Sequence, residues 1–363
     1  MRPIRNFYAG PCALPLSVLR RVQDEMLDFR GTGMSVMEIS HRAAPVVDLI
    51  EETTGGLKRL MGLGDEYEVL LLQGGSSLQF AMMPMNFSGP GEIVAYVDSG
   101  LWAKKAMEEA RLLGRDVRVV ASSAPDHRRI PADWETVSDA RYLHLCTNNT
   151  IVGTQFSSAM IDALPRGGPV IMADMSSDLL SRRIDHGKFG LIYAHTQKSF
   201  GAAGVTIVAL RRDLLDRIRD PMAAMLDYRT HVKARSNYNT PPVFAIYVVR
   251  LMLDWLEGEI GGIEAMERIN RAKAARIYDL IDGSNFYHAP VEAGSRSMMN
   301  AVFHLPNPDL EKRFVAEAEQ AGIVGLGGHR KWGGCRASLY NAVSLADVED
   351  LAGFMGEFVA ANG

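Results

Sequence analysis

Cysteine is scarce in this chain, with only Cys12, Cys146 and Cys335 among 363 residues. Their odd number and wide spacing exclude a disulfide-built scaffold and match no zinc-ligand pattern, so reduced thiols and a cytoplasmic setting are expected. Runs of like charge are also missing. Lys and Arg total 39 against 43 Asp and Glu, a formal net charge of -4 that lacks the basic footprint of a nucleic-acid surface. The longest apolar stretch, "FAIYVVRLMLDWL", contains Arg250 and is shorter than the roughly 20 residues that span a bilayer. Near the start, Pro3, Gly10, Pro11 and Pro15 interrupt any apolar run, and no secretory signal is expected. A Walker lysine motif and GxGxxG are both absent, which weakens nucleotide-binding readings.

Apolar residues make up 47% of the chain and charged residues 23%, the balance of a folded globular protein long enough for a large core and a smaller one. Short apolar runs recur as "YEVLLLQ", "EIVAYVDS", "DVRVVAS", "RYLHLCT", "PVIMAD" and "GVTIVAL", several separated by helical segments such as "GLWAKKAMEEARLLG". Continuous hydrophobicity in such runs predicts strands buried on both faces, hence an α/β fold with a mainly parallel sheet between helices. "PLSVLRRVQDEMLDF" has Leu16, Leu19, Val22, Met26 and Leu27 at helical spacing and predicts a helix through that stretch. Beyond about residue 256 the sheet pattern fades into "GGIEAMERINRAKAARIYDLID", "MMNAVFHL", "DLEKRFVAEAEQAG" and "LADVEDLAGFMGEFVAA", which predict a smaller α+β unit. The expected division is a large domain over 16–258 and a small one built from 1–15 and 259–363.

Ligands of open parallel sheets bind beyond the carboxyl ends of the strands. "YEVLLLQGGSSLQF" passes from a strand through two glycines to Ser76, Ser77 and a helix. Free N–H groups at that helix start, with the two hydroxyls, would suit an anion; an ordinary serine-capped turn reads the same way. "PVIMAD" ends on Asp174, which in isolation is as well explained as a turn cap. Yet 24 residues later "AHTQKSFGAAGV" sets Lys198 between two strand-like runs, where a long cationic chain needs a partner or a covalent task. An acid to keep a pyridine nitrogen protonated and a lysine to condense with an aldehyde are what pyridoxal phosphate chemistry needs. Trp102, near another strand end, suits stacking on a flat ring, or simply a core.

The chain resembles the phosphoserine aminotransferase family, a branch of the class V aminotransferases, nearly end to end. The resemblance is carried by "NFYAGPCALP", "GMSVMEISHR", "TNNTIVGTQ", "ADMSSDLLSR", "QKSFGAAGVTIV", "YNTPPVFAIY", "SMMNAVF" and "GHRKWGGCRASLYNA". It implies the fold-type I architecture, with a mainly parallel seven-stranded sheet in the large domain, and pyridoxal 5′-phosphate as cofactor. By the same resemblance Lys198 is the Schiff-base lysine, Asp174 the acid at the pyridine nitrogen, Trp102 the stacking ring and Thr150 the hydroxyl near the ring oxygen. Ser76, Ser77 and Gln197 would hold the phosphate, joined by Asn239 and Thr240 from the neighbouring subunit of a homodimer. Arg336 would hold the substrate α-carboxylate. His41 and Arg42, with His329 and Arg330 from the other chain, would clamp the distal anion. The implied reaction exchanges an amino group between glutamate and 3-phosphohydroxypyruvate, in serine synthesis, and the related vitamin B6 oxo acid is a further substrate the family handles.

Some residues depart from the common family pattern. Ser77 stands where many members carry arginine, and "AHTQKS" places His195 and Thr196 where "AGAQKN" is usual. His195 reads first as a packed core residue and otherwise as part of the cofactor's surroundings. "KSFGAAG" lacks the proline of "NIGPAG", and "YNAVS" replaces "YNAMP". Another class V enzyme, such as an alanine–glyoxylate-type aminotransferase or a cysteine desulfurase, and a non-catalytic cofactor-binding regulator are the alternatives. Cys335 lies within the arginine motif, where packing explains it better than the mobile nucleophile of a desulfurase.

Overall fold

The computed structural model describes residues 4–363; residues 1–3, including Pro3 and the start of the segment assigned to the small domain, lie outside it. The main helices are α1 (Leu16–Asp24), α2 (Ala44–Leu60), α3 (Gly75–Phe87), α4 (Leu101–Leu112), α5 (Val243–Asp254), α6 (Ile263–Asp282), α7 (Pro308–Gln320) and α8 (Leu345–Asn362). A seven-stranded sheet is built from β1 (Tyr67–Leu72), β2 (Ile93–Asp98), β3 (Asp116–Ser122), β4 (Tyr142–Cys146), β5 (Val170–Asp174), β6 (Leu191–His195) and β7 (Thr206–Arg211). Its order is β1-β7-β6-β5-β4-β2-β3. The pairs β6/β5, β5/β4, β4/β2 and β2/β3 are parallel, whereas β7 runs antiparallel to both of its neighbours.

Alternation along the inner strands explains why the sheet is buried on both sides, while at the edge strand β3 Arg118 and Val119 are exposed, against the expectation for that run. Val69 and Leu71 enter one apolar cluster, with Ile50 and Leu57 of α2 and Ile246 and Val249 of α5. Leu70 and Leu72 enter the other, with Phe80 and Met83 of α3 and Ala106 and Met107 of α4. Each such aliphatic side chain contributes about 1.5–3 kcal/mol when withdrawn from water.

A third cluster joins Phe7 and Ala13 to Ile277 of α6, Phe314 of α7 and Met355 of α8. Here β8 (Asn300–Phe303) pairs antiparallel with β9 (Cys335–Ser338), and Arg5–Asn6 pairs parallel with Ile323–Val324. Buried Cys335 packs in this cluster.

One helix differs from its sequence pattern. The periodicity predicts a helix running to Leu27, but α1 ends at Asp24 and Leu27 is 84% exposed. Only Val18 and Val22 of α1 are buried, while Leu16 and Leu19 are each 38% exposed. The spacing is helical, but the core takes Val18 and Val22 and leaves Leu16 and Leu19 at its margin. No helix of the described residues is long and apolar enough to cross a membrane.

Candidate active site

The carboxyl ends of β1, β2, β4, β5 and β6 lead into one cleft of about 410 Å³, lined by Gly74, Gly75, Ser76, Ser77, Trp102, Asp174, Ser176, His195, Gln197 and Lys198 among others. A larger cavity of about 510 Å³ lies beside Trp134 and Phe156, but its wall is apolar and holds neither the lysine nor the acid.

Each wall of the cleft has a local cause. After β6, Thr196 Oγ1 donates to the carbonyls of Ala202 and Val205, closing the loop that carries Lys198 back onto β7. Antiparallel pairing of Thr206 with His195 fixes both ends of that loop. Asp174, the last residue of β5, accepts both the backbone N–H and the hydroxyl of Ser176 on Oδ1, at 2.9 and 2.5 Å. After β2, Gly100 begins α4 with φ +144°, and a Cβ there would collide with the Asn149 carboxamide, which itself donates to the Ser99 carbonyl. That close approach sets Trp102 in the cleft. After β1, Gly74 and Gly75 turn through the left-handed region into α3, presenting the helix start beside Ser76 and Ser77.

Lys198 Nζ donates to Thr150 Oγ1 at 3.0 Å and lies 5.1 Å from the centre of the Trp102 ring. Burial pulls its pKa below the usual lysine value, with Asp174 acting in the opposite sense. Burial pushes the Asp174 carboxyl upward, opposed by Lys198 and the Ser176 bonds. Both pKa values are therefore displaced from their ordinary positions, a pattern that clusters at reactive sites. Arg336, on β9, donates from Nη1 to the Thr150 carbonyl at 3.1 Å.

A pyridoxal phosphate group fits the residues present. Among the described residues no hydrogen bond reaches Asp174 Oδ2, whose partner would be the ring nitrogen. Trp102 Nε1 and Arg336 Nε are buried donors with no partner among the described residues, as expected of groups awaiting an anionic ligand. The glycine turn and the start of α3 leave backbone N–H groups and the Ser77 hydroxyl for a phosphate, with Ser76 bonded to Ser176 beside them.

The other expected site residues sort into two places. His329 and Arg330 belong to the loop between Gly328 and Gly334, whose ends are joined by a 3.0 Å backbone bond. Trp332 of this loop packs on the same small cluster, Ile151, Val152 and Val291, as Trp102 of the same chain. His329 is pushed below its usual pKa first by burial, then by the positive charges of Arg336, Arg330, Lys105 and Lys331. Within its own chain His329 thus lies in electrostatic reach of Arg336 and Lys105. His41 and Arg42 lie elsewhere: the His41 carbonyl accepts Asn237 Nδ2 at 2.8 Å, and Arg42 is exposed. Asn239 and Thr240 are exposed too and do not line the cleft of their own chain.

Two contributors escaped the sequence reading. Ser176 bonds Asp174 and also meets the Ser76 hydroxyl at 2.6 Å, linking the acid to the cradle. Its position two residues after Asp174 was the available signal, because such serines commonly bond a preceding acid. Tyr340 donates to the Ala9 carbonyl at 3.0 Å and so holds the N-terminal segment near the site; only the fold brings those residues together. In that segment a Cβ on Gly10 would lie 3.6 Å from Lys198 Cγ.

A mainly parallel α/β sheet with a lysine, an acid and an indole at its strand ends defines the fold-type I class of pyridoxal-phosphate enzymes. A family model described as aminotransferase class-V matches residues 4–351, and the chain belongs to that family. It is 51% identical to the phosphoserine aminotransferase of Geobacillus kaustophilus over 361 residues, 99% of each chain. The solved phosphoserine aminotransferase of Bacillus circulans subsp. alkalophilus superposes with a TM-score of 0.95 at 47% identity, over 99% of both chains. The pyridoxal-phosphate-bound phosphoserine aminotransferase of Trichomonas vaginalis gives 0.92 at 37% identity, over 97% of this chain and 99% of the other. The protein is a pyridoxal-phosphate-dependent aminotransferase.

Proposed function

We propose that this enzyme exchanges the amino group of glutamate with 3-phosphohydroxypyruvate, forming 2-oxoglutarate and O-phosphoserine, as the names of its relatives indicate. The observation that carries this reading is the pair of anion-receptive features beside Lys198. Arg336 supplies a guanidinium with an unpartnered Nε, and His329 is surrounded by four cationic side chains. A substrate with a carboxylate at one end and a second anion at the other fits that spacing of charge. Glutamate and phosphoserine both have this form, so one site serves both half-reactions. An alanine–glyoxylate-type enzyme has no use for the second feature, and the desulfurase reading loses its nucleophile because Cys335 is buried with its thiol pKa pushed up by that burial.

In this mechanism Asp174 would keep a proton on the ring nitrogen, Trp102 would pack against the ring, and Thr150 would bond its ring oxygen. Ser76, Ser77, Gln197 and the start of α3 would hold the phosphate, together with Asn239 of the partner subunit and Thr240 of the partner subunit. Bound pyridoxal phosphate supplies the carbonyl that receives the amino group and the electron sink that makes the substrate Cα–H acidic. Arg336 grips the α-carboxylate through its planar fork and orients that bond. Lys198 Nζ, whose pKa burial lowers, would remove the Cα proton and return it on the other side of the transfer. His329 and Arg330 hold the distal anion from the same subunit, and Arg42 of the partner subunit with His41 of the partner subunit completes the clamp.

The homodimer is part of the proposal and is supported by exposed apolar surface. Met34 and Met37 are 46% and 61% exposed just before His41, and Tyr238 is 47% exposed just before Asn239. Side chains of this kind in one region mark an interface. We place the enzyme in the cytoplasm, in keeping with its three free cysteines.

A half-reaction panel tests the assignment. Glutamate and phosphoserine should each convert the cofactor spectrum to its aminated form, while alanine should react far more slowly. Rapid conversion by alanine with none by phosphoserine would overturn it.

A further inference from the structure

His195 is the residue near the cofactor site for which the mechanism above has no use. Along β6 the side chains alternate: Ile192 and Ala194 enter one core, Leu191 and Tyr193 the other, beneath α3 and α4. His195 continues the second series one step past the end of that core. It emerges where α3 begins, and a Cβ built on Gly75 would lie 3.5 Å from both its Cε1 and its Nδ1. The ring therefore stands beside the first residue of the helix whose N-terminus faces the cleft.

The imidazole has no hydrogen-bond partner among the described residues; the backbone N–H of His195 donates to Ser176 Oγ at 3.3 Å. The buried histidines behave differently. His144 pairs with the Tyr193 hydroxyl, His186 with the Met61 carbonyl, His231 with the Met225 carbonyl and His127 with Ser123. A packed core histidine would show a contact of that sort. His195 instead keeps an unused ring on the wall of the cleft, among Gly74, Gly75, Ser76, Ser77 and Lys198.

We propose that His195 is an additional ligand of the cofactor phosphate, donating a ring N–H to a phosphate oxygen beside the start of α3. This rests on the cofactor site assigned above and adds a residue to it. Facing the ring, Lys198 is basic and Asp174 acidic, while α3 offers only Gly75, Ser76 and Ser77, none of them charged. Burial, then Lys198, lowers the imidazole's affinity for a proton. A phosphate dianion placed against the ring acts the opposite way and favours the imidazolium. Cofactor binding is then accompanied by proton uptake at His195, and the phosphate is held more tightly as pH falls from about 8 towards 6.

The test compares wild type with His195→Phe, which keeps a flat ring without a donor, and His195→Asn, which keeps a donor. Cofactor is removed from the purified enzyme, and return of pyridoxal phosphate or phosphate-free pyridoxal is titrated by tryptophan fluorescence at pH 6 and pH 8. His195→Phe should weaken pyridoxal phosphate by roughly 10- to 100-fold, the worth of one charge-assisted hydrogen bond. It should leave pyridoxal within about twofold and abolish the pH dependence of phosphate-linked affinity, while His195→Asn recovers part of the loss at pH 8. Equal affinity of wild type and His195→Phe for pyridoxal phosphate would overturn the proposal. So would an equal loss for both ligands, which would make the ring a packing element. Failure of the wild type itself to take up pyridoxal phosphate would instead refute the cofactor site, a separate result.

Discussion

Lys198 Nζ donates a hydrogen bond to Thr150 Oγ1 at 3.0 Å, and the backbone carbonyl of that threonine accepts Arg336 Nη1 at 3.1 Å. Thr150, four residues past the end of β4, therefore ties the amine to the guanidinium assigned to the substrate. The lysine proposed for catalysis follows a strand of the large sheet and the arginine proposed for substrate lies on β9, and Thr150 is where they meet.

Lys198→Ala should abolish turnover, with a loss of at least about 10²–10⁴-fold in proton transfer alone. Borohydride reduction of the wild type followed by peptide mapping should place the cofactor on the peptide containing Lys198. Label on another lysine would refute the assignment.

Asp174→Asn keeps the side-chain shape and removes the acid. Cofactor retention should weaken by about 1.5–3 kcal/mol, the worth of a hydrogen bond to a charged group. Cα deprotonation in single-turnover kinetics should slow by more than substrate binding weakens. A wild-type deprotonation rate would defeat the role.

Arg330→Ala should cost substrates with a distal anion about 2–5 kcal/mol in kcat/KM, roughly one to three or more decades, and leave alanine nearly unaffected. Arg336→Lys should instead penalise every amino acid, because the α-carboxylate common to all of them loses its forked partner. Steady-state kinetics on a panel of donors separates the two patterns.

Subunit mixing reports which chain supplies each half of the clamp. In heterodimers of Lys198→Ala with Arg42→Ala chains, one site regains every native residue, so activity should return to about half of wild type. Heterodimers of Lys198→Ala with Arg330→Ala should show no such recovery, since Arg330 and Lys198 serve the same site from one chain. The reverse result would move the loop carrying Arg330 across the interface.

Lys273 offers a test of stability. It is buried and donates to the carbonyls of Leu339, Tyr340 and Val343 at 2.8–2.9 Å. Replacing it with methionine leaves three acceptors unsatisfied and should cost about 2–5 kcal/mol, measured by urea denaturation. Burial lowers the Lys273 pKa to about 7 from 10.5. The unfolded chain therefore binds this proton more tightly, and the contribution of Lys273 to stability rises with pH between about 7 and 10.5. The stability gap between wild type and Lys273→Met should widen across that window; a constant gap would count against the shifted pKa.

Much of the sheet was legible because its strands are short apolar runs bounded by glycine, aspartate or serine, and burial on both faces leaves little ambiguity. Asp174 and Lys198 were legible for a related reason, since polar residues at the ends of apolar runs call for explanation. Leu27 was misread because helical spacing records periodicity alone; whether an apolar face meets a core or the outside depends on what the rest of the chain presents. Ser176 and the position of Arg330 were hidden for another reason. Each depends on which strand ends and loops become neighbours, and one sequence carries no direct record of that. His195 was legible as a departure, but its unpartnered ring beside Gly75 appears only once β6 and α3 are packed.

The antiparallel strand β7 holds both ends of the Lys198 loop, whereas the loop from Gly328 to Gly334 is joined to the molecule chiefly through its own neck and Trp332. The residues proposed for chemistry and for selectivity are thus mounted on differently anchored parts, one on the sheet and one on a loop of the small domain. Residue changes in the Gly328–Gly334 loop can alter which distal group is accepted while the amine and acid keep their register in the sheet. A programme of laboratory evolution seeking new amino donors should therefore gather its successful changes in that loop and around Arg42, and very few between Asp174 and Thr206.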